Sequence, residues 1–192
     1  MSYKKEEVKC PKCNKKLKVK VYTKLDESQV IDVVNRDIFK IKCDKCGQTT
    51  YVDYTVDLET PTYYLYYTPA SNKSKPYIKG KITRVCDTYA EFKEKTLILE
   101  EGLSDILIEF IKMHIKNDLK GEDLEDYKEI RFDSIIDDNI IFALVGLNRN
   151  VAIKKDFYNL LFERSKFKEP RRAIVLDRSN FWKYHKMKWN IK

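Results

Sequence analysis

The sequence has little of several residue types that enzymes and membrane proteins often need. Its 192 residues include only two histidines and five glycines, and no two of the glycines stand close together. A chain without a glycine-rich loop lacks the usual backbone cradle for a phosphate group. The longest apolar run, residues 140–147, has eight residues, whereas a membrane span needs about 18. No apolar segment follows Lys4 and Lys5 near the start, so we predict no secretory signal and expect a cytoplasmic protein without a membrane partner.

Charge is distributed unevenly along the chain. The formal net charge is +8, and 43% of the residues are apolar, a fraction typical of a globular protein. Residues 1–50 have thirteen basic and seven acidic side chains, residues 163–192 have ten and three, and the middle has fifteen and twenty. Basic ends around an acidic middle are one pattern by which proteins bind nucleic acid. The alternative is that the lysine-rich composition has no role in binding, and charge alone favours this alternative.

Four of the five cysteines form two C-x-x-C pairs of identical spacing, at residues 10–13 and 43–46. A two-residue spacer lets both sulfurs of one pair reach the same ion at about 2.3 Å, and two pairs complete a tetrahedron. Asn14 and Gly47 follow the second cysteine of each pair, where the chain turns back and φ often becomes positive. Disulfides are not expected in a reducing compartment. We therefore predict one structural Zn²⁺ held by four thiolates, those of Cys10, Cys13, Cys43 and Cys46.

Two other uses of paired cysteines stay open as alternatives. A redox C-x-x-C of the thioredoxin type needs one motif at a helix start after a strand, whereas here there are two motifs, each before a strand-like run. An iron–sulfur cluster also accepts four thiolates, but its ligands usually stand closer together in the sequence. Zinc is therefore the best supported of the three. The 29 residues between the pairs exceed the roughly 15–20 of a minimal zinc ribbon and predict an insertion.

The first third of the chain shows strand and helix periods in turn. Apolar residues alternate with lysines from Leu17 to Val21, which is the period of a half-buried strand. Residues 26–39 change to a helical period and begin at Asp26 and Ser28, either of which can cap a helix. Further strands are predicted at 38–43, 48–56 and 62–68. Residues 1–68 therefore predict a zinc-ribbon-like antiparallel β module with one short inserted helix.

These features together resemble the CpXC protein family. The resemblance rests on the Cys-Pro-x-Cys motif at Cys10, the short helix, the segment 38–47 (IFKIKCDKCG) and the tyrosine-rich strand that follows. It continues through Arg84 and a helix at 97–115 to residues 175–177. The resemblance implies a bacterial or archaeal protein with a zinc site, and it implies no particular activity. Asp44 stands where the family name implies a proline, and aspartate can also begin a tight turn.

The rest of the chain predicts a mixture of helices and strands. Helices are expected at 100–120 and at 156–167, the second with Phe157, Leu160 and Leu161 inward. Strands are expected at 77–85, 129–132, 140–146, 151–153 and 173–176. Since strands and helices do not alternate regularly, the predicted class is α+β, a zinc-ribbon-like module followed by a small mixed layer. The predicted division is a module at 1–68, a linker at 69–80, an α+β part at 81–179 and a basic aromatic tail at 180–192.

No catalytic residue is predicted. His114 falls on the apolar stripe of its helix and is expected to be a packed or rim side chain. Cys86 is expected to be a small buried apolar residue. Asp133, Asp137 and Asp138 could hold a hard cation, although a solvated turn explains them equally well. An enzyme with a carboxylate site within residues 80–177 therefore stays an alternative without direct support.

The C-terminal tail interleaves aromatic and basic residues. Its candidate contacts for nucleic acid or another partner are Trp182, Lys183, Lys186, Lys188 and Trp189. The rings could stack on bases while the lysines meet phosphates. The alternative, which we favour, is that both tryptophans pack back onto the domain and leave the lysines in water.

The sequence as a whole predicts a zinc-binding structural or adaptor module that binds another macromolecule. A protein is the expected partner, and nucleic acid bound through the basic ends is the alternative. Four thiolates leave no open position on the metal for a substrate, so catalysis at the zinc is not expected.

Overall fold

The computed structural model describes residues 1–69, 75–170, 173–177 and 179–187. Strands and helices are mixed along the chain, so the protein belongs to the α+β class as predicted. The chain forms two compact units, one of residues 1–96 with a segment around Ile174, the other of residues 97–170 with the end of the described chain. The domain boundaries predicted from the sequence stay a prediction. Within the described residues, no helix is long and apolar enough to span a membrane.

The first unit is built on a five-stranded sheet and a separate two-stranded hairpin. In chain order its strands are β1 (Ser2–Lys9), β2 (Lys16–Asp26), β3 (Lys40–Lys42), β4 (Thr49–Tyr51), β5 (Val56–Glu59), β6 (Tyr63–Tyr67) and β7 (Ile82–Cys86). The large sheet has the order β1-β2-β5-β6-β7, and β3 pairs with β4. Pairing is antiparallel for β1–β2, β3–β4 and β5–β6, as predicted, but parallel for β2–β5 and β6–β7. The parallel pairs arise because long crossovers, at 27–55 and 68–81, connect these strands.

The inserted helix is shorter than predicted. One helix over 26–39 was expected, but the segment divides into a 3-10 turn at Glu27–Gln29, the helix α1 (Val30–Val34) and a second 3-10 turn at Asp37–Phe39. Asp26 caps the first turn as predicted, its side chain accepting from the Ser28 backbone N–H at 3.1 Å. The break falls at Arg36, whose φ of 64° is left-handed and ends a right-handed helix.

Four strand predictions for the first unit need correction. The strand predicted at 77–85 begins only at Ile82. Ile38 and Phe39 are buried in the second 3-10 turn, so the strand predicted from residue 38 begins only at Lys40. The strand predicted at 48–56 is two strands, β4 and β5, separated by an irregular stretch. The strand predicted at 173–176 is a single parallel bridge between Ile174 and Arg84.

The second unit packs helices against a three-stranded antiparallel sheet. Its elements are the end of α2 (Tyr89–Glu100), α3 (Asp105–Asp118), α4 (Glu122–Asp126), β8 (Glu129–Ile136), β9 (Asn139–Val145), β10 (Arg149–Lys154), α5 (Lys155–Arg164), β11 (Ser165–Phe167) and β12 (His185–Met187). The sheet order is β10-β9-β8, and β11 pairs with β12. The hairpin turn predicted at 137–139 is present, with Asp137 and Asp138 both at positive φ. The core of the second unit is formed by apolar residues that include Ile98, Leu107, Ile111, Phe132 and Phe142.

Two helix predictions for the second unit were wrong in detail. The helix expected at 100–120 begins at Asp105, because Gly102 has a φ of 66° and Ser104 caps the helix from outside it. In α5 the inward side chains are Tyr158 and Leu161. Phe157 and Leu160, which we expected to face inward, are 50% and 41% exposed.

Candidate metal centre

Two loops of matching backbone geometry bring the paired cysteines to the ends of their hairpins. In the first loop, between β1 and β2, the Cys10 N–H donates to the Lys15 carbonyl at 2.9 Å, and the Asn14 N–H donates to the Cys10 carbonyl at 3.0 Å. In the second loop, between β3 and β4, Cys43 makes the same two bonds, with the Gln48 carbonyl and the Gly47 N–H, at 2.8 and 2.9 Å. Each C-x-x-C pair therefore lies in the same kind of tight turn.

Both turns need a residue that accepts a left-handed backbone. Asn14 has a φ of 56° and Gly47 a φ of 70°, as the sequence predicted for the position after each second cysteine. Glycine and asparagine adopt this conformation at lower cost than other residues. The turn chemistry, and not only the cysteine spacing, is thus shared by the two loops.

The four thiols meet at one point. Their sulfur atoms all lie within 4.8 Å of one another. The Cys10 and Cys46 sulfurs are 3.6 Å apart, and those of Cys13 and Cys43 are 3.7 Å apart. A tetrahedron with ligand bonds of about 2.3 Å has edges of about 3.8 Å. The cysteines are free thiols, since these separations far exceed a disulfide bond of about 2.05 Å. The cluster could therefore hold one metal ion.

Hydrogen bonds from the loop backbone favour a thiolate at Cys10. The backbone N–H of Cys13 donates to the Cys10 sulfur, and the N–H of Lys12 does so more weakly. The thiols of Cys46 and Cys13 donate to it as well. Burial opposes these hydrogen bonds, but together they lower the Cys10 pKa to about 6. At Cys46 the Gln48 N–H lowers the pKa, but burial and the neighbouring thiols outweigh it and raise the pKa to about 11. Such donors stabilise metal-bound thiolates as well as free ones.

The surroundings of the cluster are apolar on the side of the sheet. Cys10 and Cys43 are each only 1% exposed, and they pack with Leu17, Val19 and Ile41. These aliphatic residues are the inward positions of β2 and β3, so the alternating pattern that predicted the strands also predicts the wall of the site.

An ion pair joins the two loops, and the sequence analysis missed it. The Lys15 ammonium lies 2.7 Å from a carboxylate oxygen of Asp44. This hydrogen bond raises the pKa of Lys15 and lowers the pKa of Asp44. Asp44, which stands where the name CpXC implies a proline, therefore forms an ion pair with Lys15 that a proline could not form. Nothing in the local spacing indicated it, because the partners lie 29 positions apart in the chain.

The tail residues predicted to contact a partner are placed as follows. Trp182 is 60% exposed, its indole N–H donating to the Ser179 carbonyl at 2.8 Å, so the interpretation that it packs back onto the domain was wrong. The Lys183 ammonium lies 5.5 Å from the centre of the Trp182 ring, and Lys186 is exposed on β12. Lys188 and Trp189 lie outside the described residues.

The remaining candidates form no second centre in the part of the chain that the structure describes. The only group of metal-ligating side chains found there is the four-cysteine cluster, so Asp133, Asp137 and Asp138 do not assemble into a site. Cys86 is fully buried, as expected. His114 is a rim residue whose ring packs edge-on against Phe110 at 4.4 Å.

One polar pair in the second unit was not foreseen from the sequence. His185 is 7% exposed, and its Nε2 lies 2.8 Å from the Ser165 hydroxyl across the β11–β12 pair. Burial lowers the His185 pKa, so the neutral ring is favoured. No pattern in the sequence predicted this contact, since Ser165 and His185 are 20 positions apart and their strands are only three residues long.

Comparison with known proteins gives one family. No curated protein and no solved structure matches the chain. A family model described as "CpXC protein" matches residues 8–112, which is more than half of the chain and includes both cysteine loops. The match does not reach residues 175–177, to which the sequence resemblance had been extended. On the strength of this match the chain belongs to the CpXC family, as its cysteine motifs had indicated.

Proposed function

We propose that the four-cysteine cluster binds one Zn²⁺ and that this ion is structural. The observation that carries the proposal is the set of sulfur–sulfur distances, 3.6 and 3.7 Å across the two loops, which suit tetrahedral zinc. Four thiolates leave no position for a substrate water, so the ion would hold the two hairpins together rather than perform chemistry. Its binding would contribute folding free energy on the order of 10 kcal/mol.

The ligand set fits iron as well as zinc, so the metal has to be identified directly. The experiment is elemental analysis of the purified protein, followed by replacement with Co²⁺ and absorption spectroscopy, in which tetrahedral thiolate coordination is visible. We expect one zinc per chain and a tetrathiolate cobalt spectrum. Iron at comparable stoichiometry would contradict the assignment to zinc.

The cysteine pairs can be tested by substitution with a matched control. Cys43→Ser is expected to lose the metal and to unfold the hairpins, because three thiolates no longer complete the site. Cys86→Ala changes the fifth cysteine, which lies outside the cluster, and is expected to keep one equivalent of metal. Full zinc retention by Cys43→Ser would overturn the ligand assignment.

We further propose that the protein is a binding or adaptor module for another protein, in a reducing compartment such as the cytoplasm. Support for the compartment comes from paired cysteines without disulfides, a pattern that in reducing compartments is typical of metal binding. Support for a binding role comes from the exposed lysines of β1 and β2, which line the hairpin that the metal would fix. An enzyme acting through residues 80–177 would instead depend on Asp133, Asp137 and Asp138, whose charge reversal an adaptor should tolerate.

Nucleic acid is the second candidate partner, and one observation favours it. Trp182 presents an exposed ring next to Lys183 in the basic tail, and exposed rings beside lysines can stack on unpaired bases. Binding to mixed-sequence single- and double-stranded nucleic acid should be measured at about 50 and 200 mM salt. A steep fall of affinity with salt, together with a loss in Trp182→Ala, would support this candidate.

A further inference from the structure

The strand β2 has an edge that is paired at only one end. Along one side it pairs with β1 from Lys16 to Lys24. Along the other side it pairs with β5 only at Lys24, Leu25 and Asp26. In the described part of the chain, the stretch 16–23 therefore has no strand neighbour on that side. Unpaired strand edges carry free N–H and C=O groups and are templates for a further strand.

A cavity of about 280 Å³ lies along this edge. Its wall on one side is four consecutive residues of β2, Val19 to Tyr22, and on the other side three consecutive residues of β3, Lys40 to Lys42. Successive side chains of a strand point to opposite faces. If the cavity lay against one face of a strand, only every second residue would line it. Because consecutive residues line it, the cavity lies along strand edges and separates the edge of β2 from the edge of β3.

The Tyr54 hydroxyl shows which backbone groups point into the cavity. It donates to the Ile38 carbonyl at 2.7 Å, and the backbone N–H of Tyr22 is directed at it from β2. Backbone groups of alternate residues in a strand point to the same side. The N–H and C=O of Lys20 therefore point into the cavity too, on the side away from β1, where no strand formed by the described residues receives them.

The charge around the cavity is positive. Lys20, Lys40 and Lys42 line it and are exposed, against a single acid, Asp37, which lies 3.4 Å from Lys40. Among the described residues, no carboxylate forms an ion pair with Lys20 or Lys42. The outer edge of β1 differs, because two lysines are followed there by two glutamates, at residues 4–7, and Lys4 pairs with Glu6. Mixed charge of that kind protects an edge from pairing.

We propose that this cavity receives an extended acidic segment of a partner protein, which adds as a strand to the free edge of β2. The proposal rests on the binding-module role above and names the kind of partner and its place. Main-chain hydrogen bonds would supply affinity, and Lys20 and Lys42 would select acidic side chains. A peptide suits the site better than nucleic acid, because the free groups are the evenly spaced donors and acceptors of a strand, and a phosphate backbone offers only acceptors to them.

The experiment measures binding of a fluorescein-labelled peptide of four Glu-Val repeats to the full chain with its metal, by fluorescence anisotropy. A second peptide has the same sequence but methylated backbone nitrogens at alternate residues, which removes strand donors and leaves charge unchanged. We expect the first peptide to bind, and the methylated peptide to bind weakly or not at all.

Two doubly substituted proteins separate the cavity from the general charge. Lys20→Glu with Lys42→Glu reverses two lining charges and should weaken peptide binding by about tenfold or more. Lys93→Glu with Lys154→Glu makes the same change of net charge at exposed positions that lie outside β1 and β2 and do not line the cavity, and should leave binding within about twofold. Circular dichroism and metal content confirm that both variants are folded.

Three comparative results would overturn the inference. They are equal binding of the methylated peptide, equal weakening by both double variants, and displacement of the peptide by a twelve-residue oligothymidine that binds more tightly. Absence of peptide binding up to about 1 mM would overturn it as well. The zinc proposal fails separately, through metal analysis alone, so a metal-loaded protein that ignores the peptide contradicts only the assignment of this cavity.

Discussion

Asn14 and Gly47 occupy equivalent positions in the two cysteine loops with different side chains. Each donates its N–H to the carbonyl of the first cysteine of its pair, and each has positive φ. The loop therefore requires a particular backbone conformation at this position and no particular side chain. Around Gly47 an added Cβ would meet nothing within 4 Å, so conformation is the only cost of a substitution there.

This equivalence gives a prediction with a control taken from the chain itself. Gly47→Ala should lower the free energy of unfolding by about 1 kcal/mol, because alanine is strained at positive φ. Gly47→Asn, which copies the first loop, should cost less. Chemical denaturation of the metal-loaded proteins measures both changes. Equal destabilisation by alanine and asparagine would show that the loops differ in more than their backbone.

The ion pair between Lys15 and Asp44 links the loops at their exposed surface. Since both side chains are partly in water, the pair should contribute little stability, and salt should screen that contribution. A double-mutant cycle of Lys15→Ala and Asp44→Ala, measured at about 50 mM and 1 M salt, should give a small favourable coupling that shrinks at high salt. A coupling that persists unchanged at 1 M salt would indicate an interaction other than this exposed pair.

Among the elements of the cysteine loops, the strand β2 could be predicted best. Leu17, Val19 and Val21 alternate clearly because one face of β2 is buried and the other is in water. The exposed strand β1 gave no signal, since nearly all its side chains face solvent and most of them carry charge. Short buried segments were ambiguous, and Ile38 and Phe39 satisfied a strand pattern although they lie in a 3-10 turn. The parallel pairings, the Tyr54 contact and the cavity depend on long-range contacts that local patterns do not contain.

The burial of the Tyr54 hydroxyl should make this part of the first unit sensitive to alkali. Burial raises the Tyr54 pKa to about 12, above the ordinary value of about 10. A raised folded-state pKa means that the stabilisation is complete below about pH 10 and is lost as pH rises from 10 towards 12. Urea unfolding between pH 8 and pH 11 should show a decline of stability over that window.

The phenylalanine variant isolates the contribution of this hydroxyl. Tyr54→Phe should lose about 1 kcal/mol at pH 8, because the Ile38 carbonyl loses its donor, and should decline less steeply above pH 10. Tyr51→Phe, at a side chain that is 46% exposed, serves as the control and should keep the wild-type pH profile. The same pH profile in Tyr54→Phe as in the wild type would contradict the assignment.

For the whole molecule, the four-cysteine cluster and the core of the second unit involve different residues. The cluster packs with residues of β2 and β3, whereas the core of the second unit is drawn from residues between Leu97 and Phe167. We therefore predict that a zinc chelator removes hydrogen-exchange protection from the β1–β2 and β3–β4 hairpins and leaves protection in β8 and β9. Loss of protection in both units together would show that the metal stabilises the chain as one cooperative unit.

The matching turns of the two loops also bear on how the ion would be exchanged. Each C-x-x-C pair would act as a bidentate ligand. Its shape is set by a backbone hydrogen bond within the loop, from Asn14 to Cys10 in the first loop and from Gly47 to Cys43 in the second. A sulfur that dissociates from a bound ion would be held close to it by the other cysteine of its pair, so it would rebind faster than a competing ligand could arrive. Release of a bound ion would then require both sulfurs of one pair to dissociate together, so its residence time would be governed by the opening of a hairpin rather than by the breaking of a single bond.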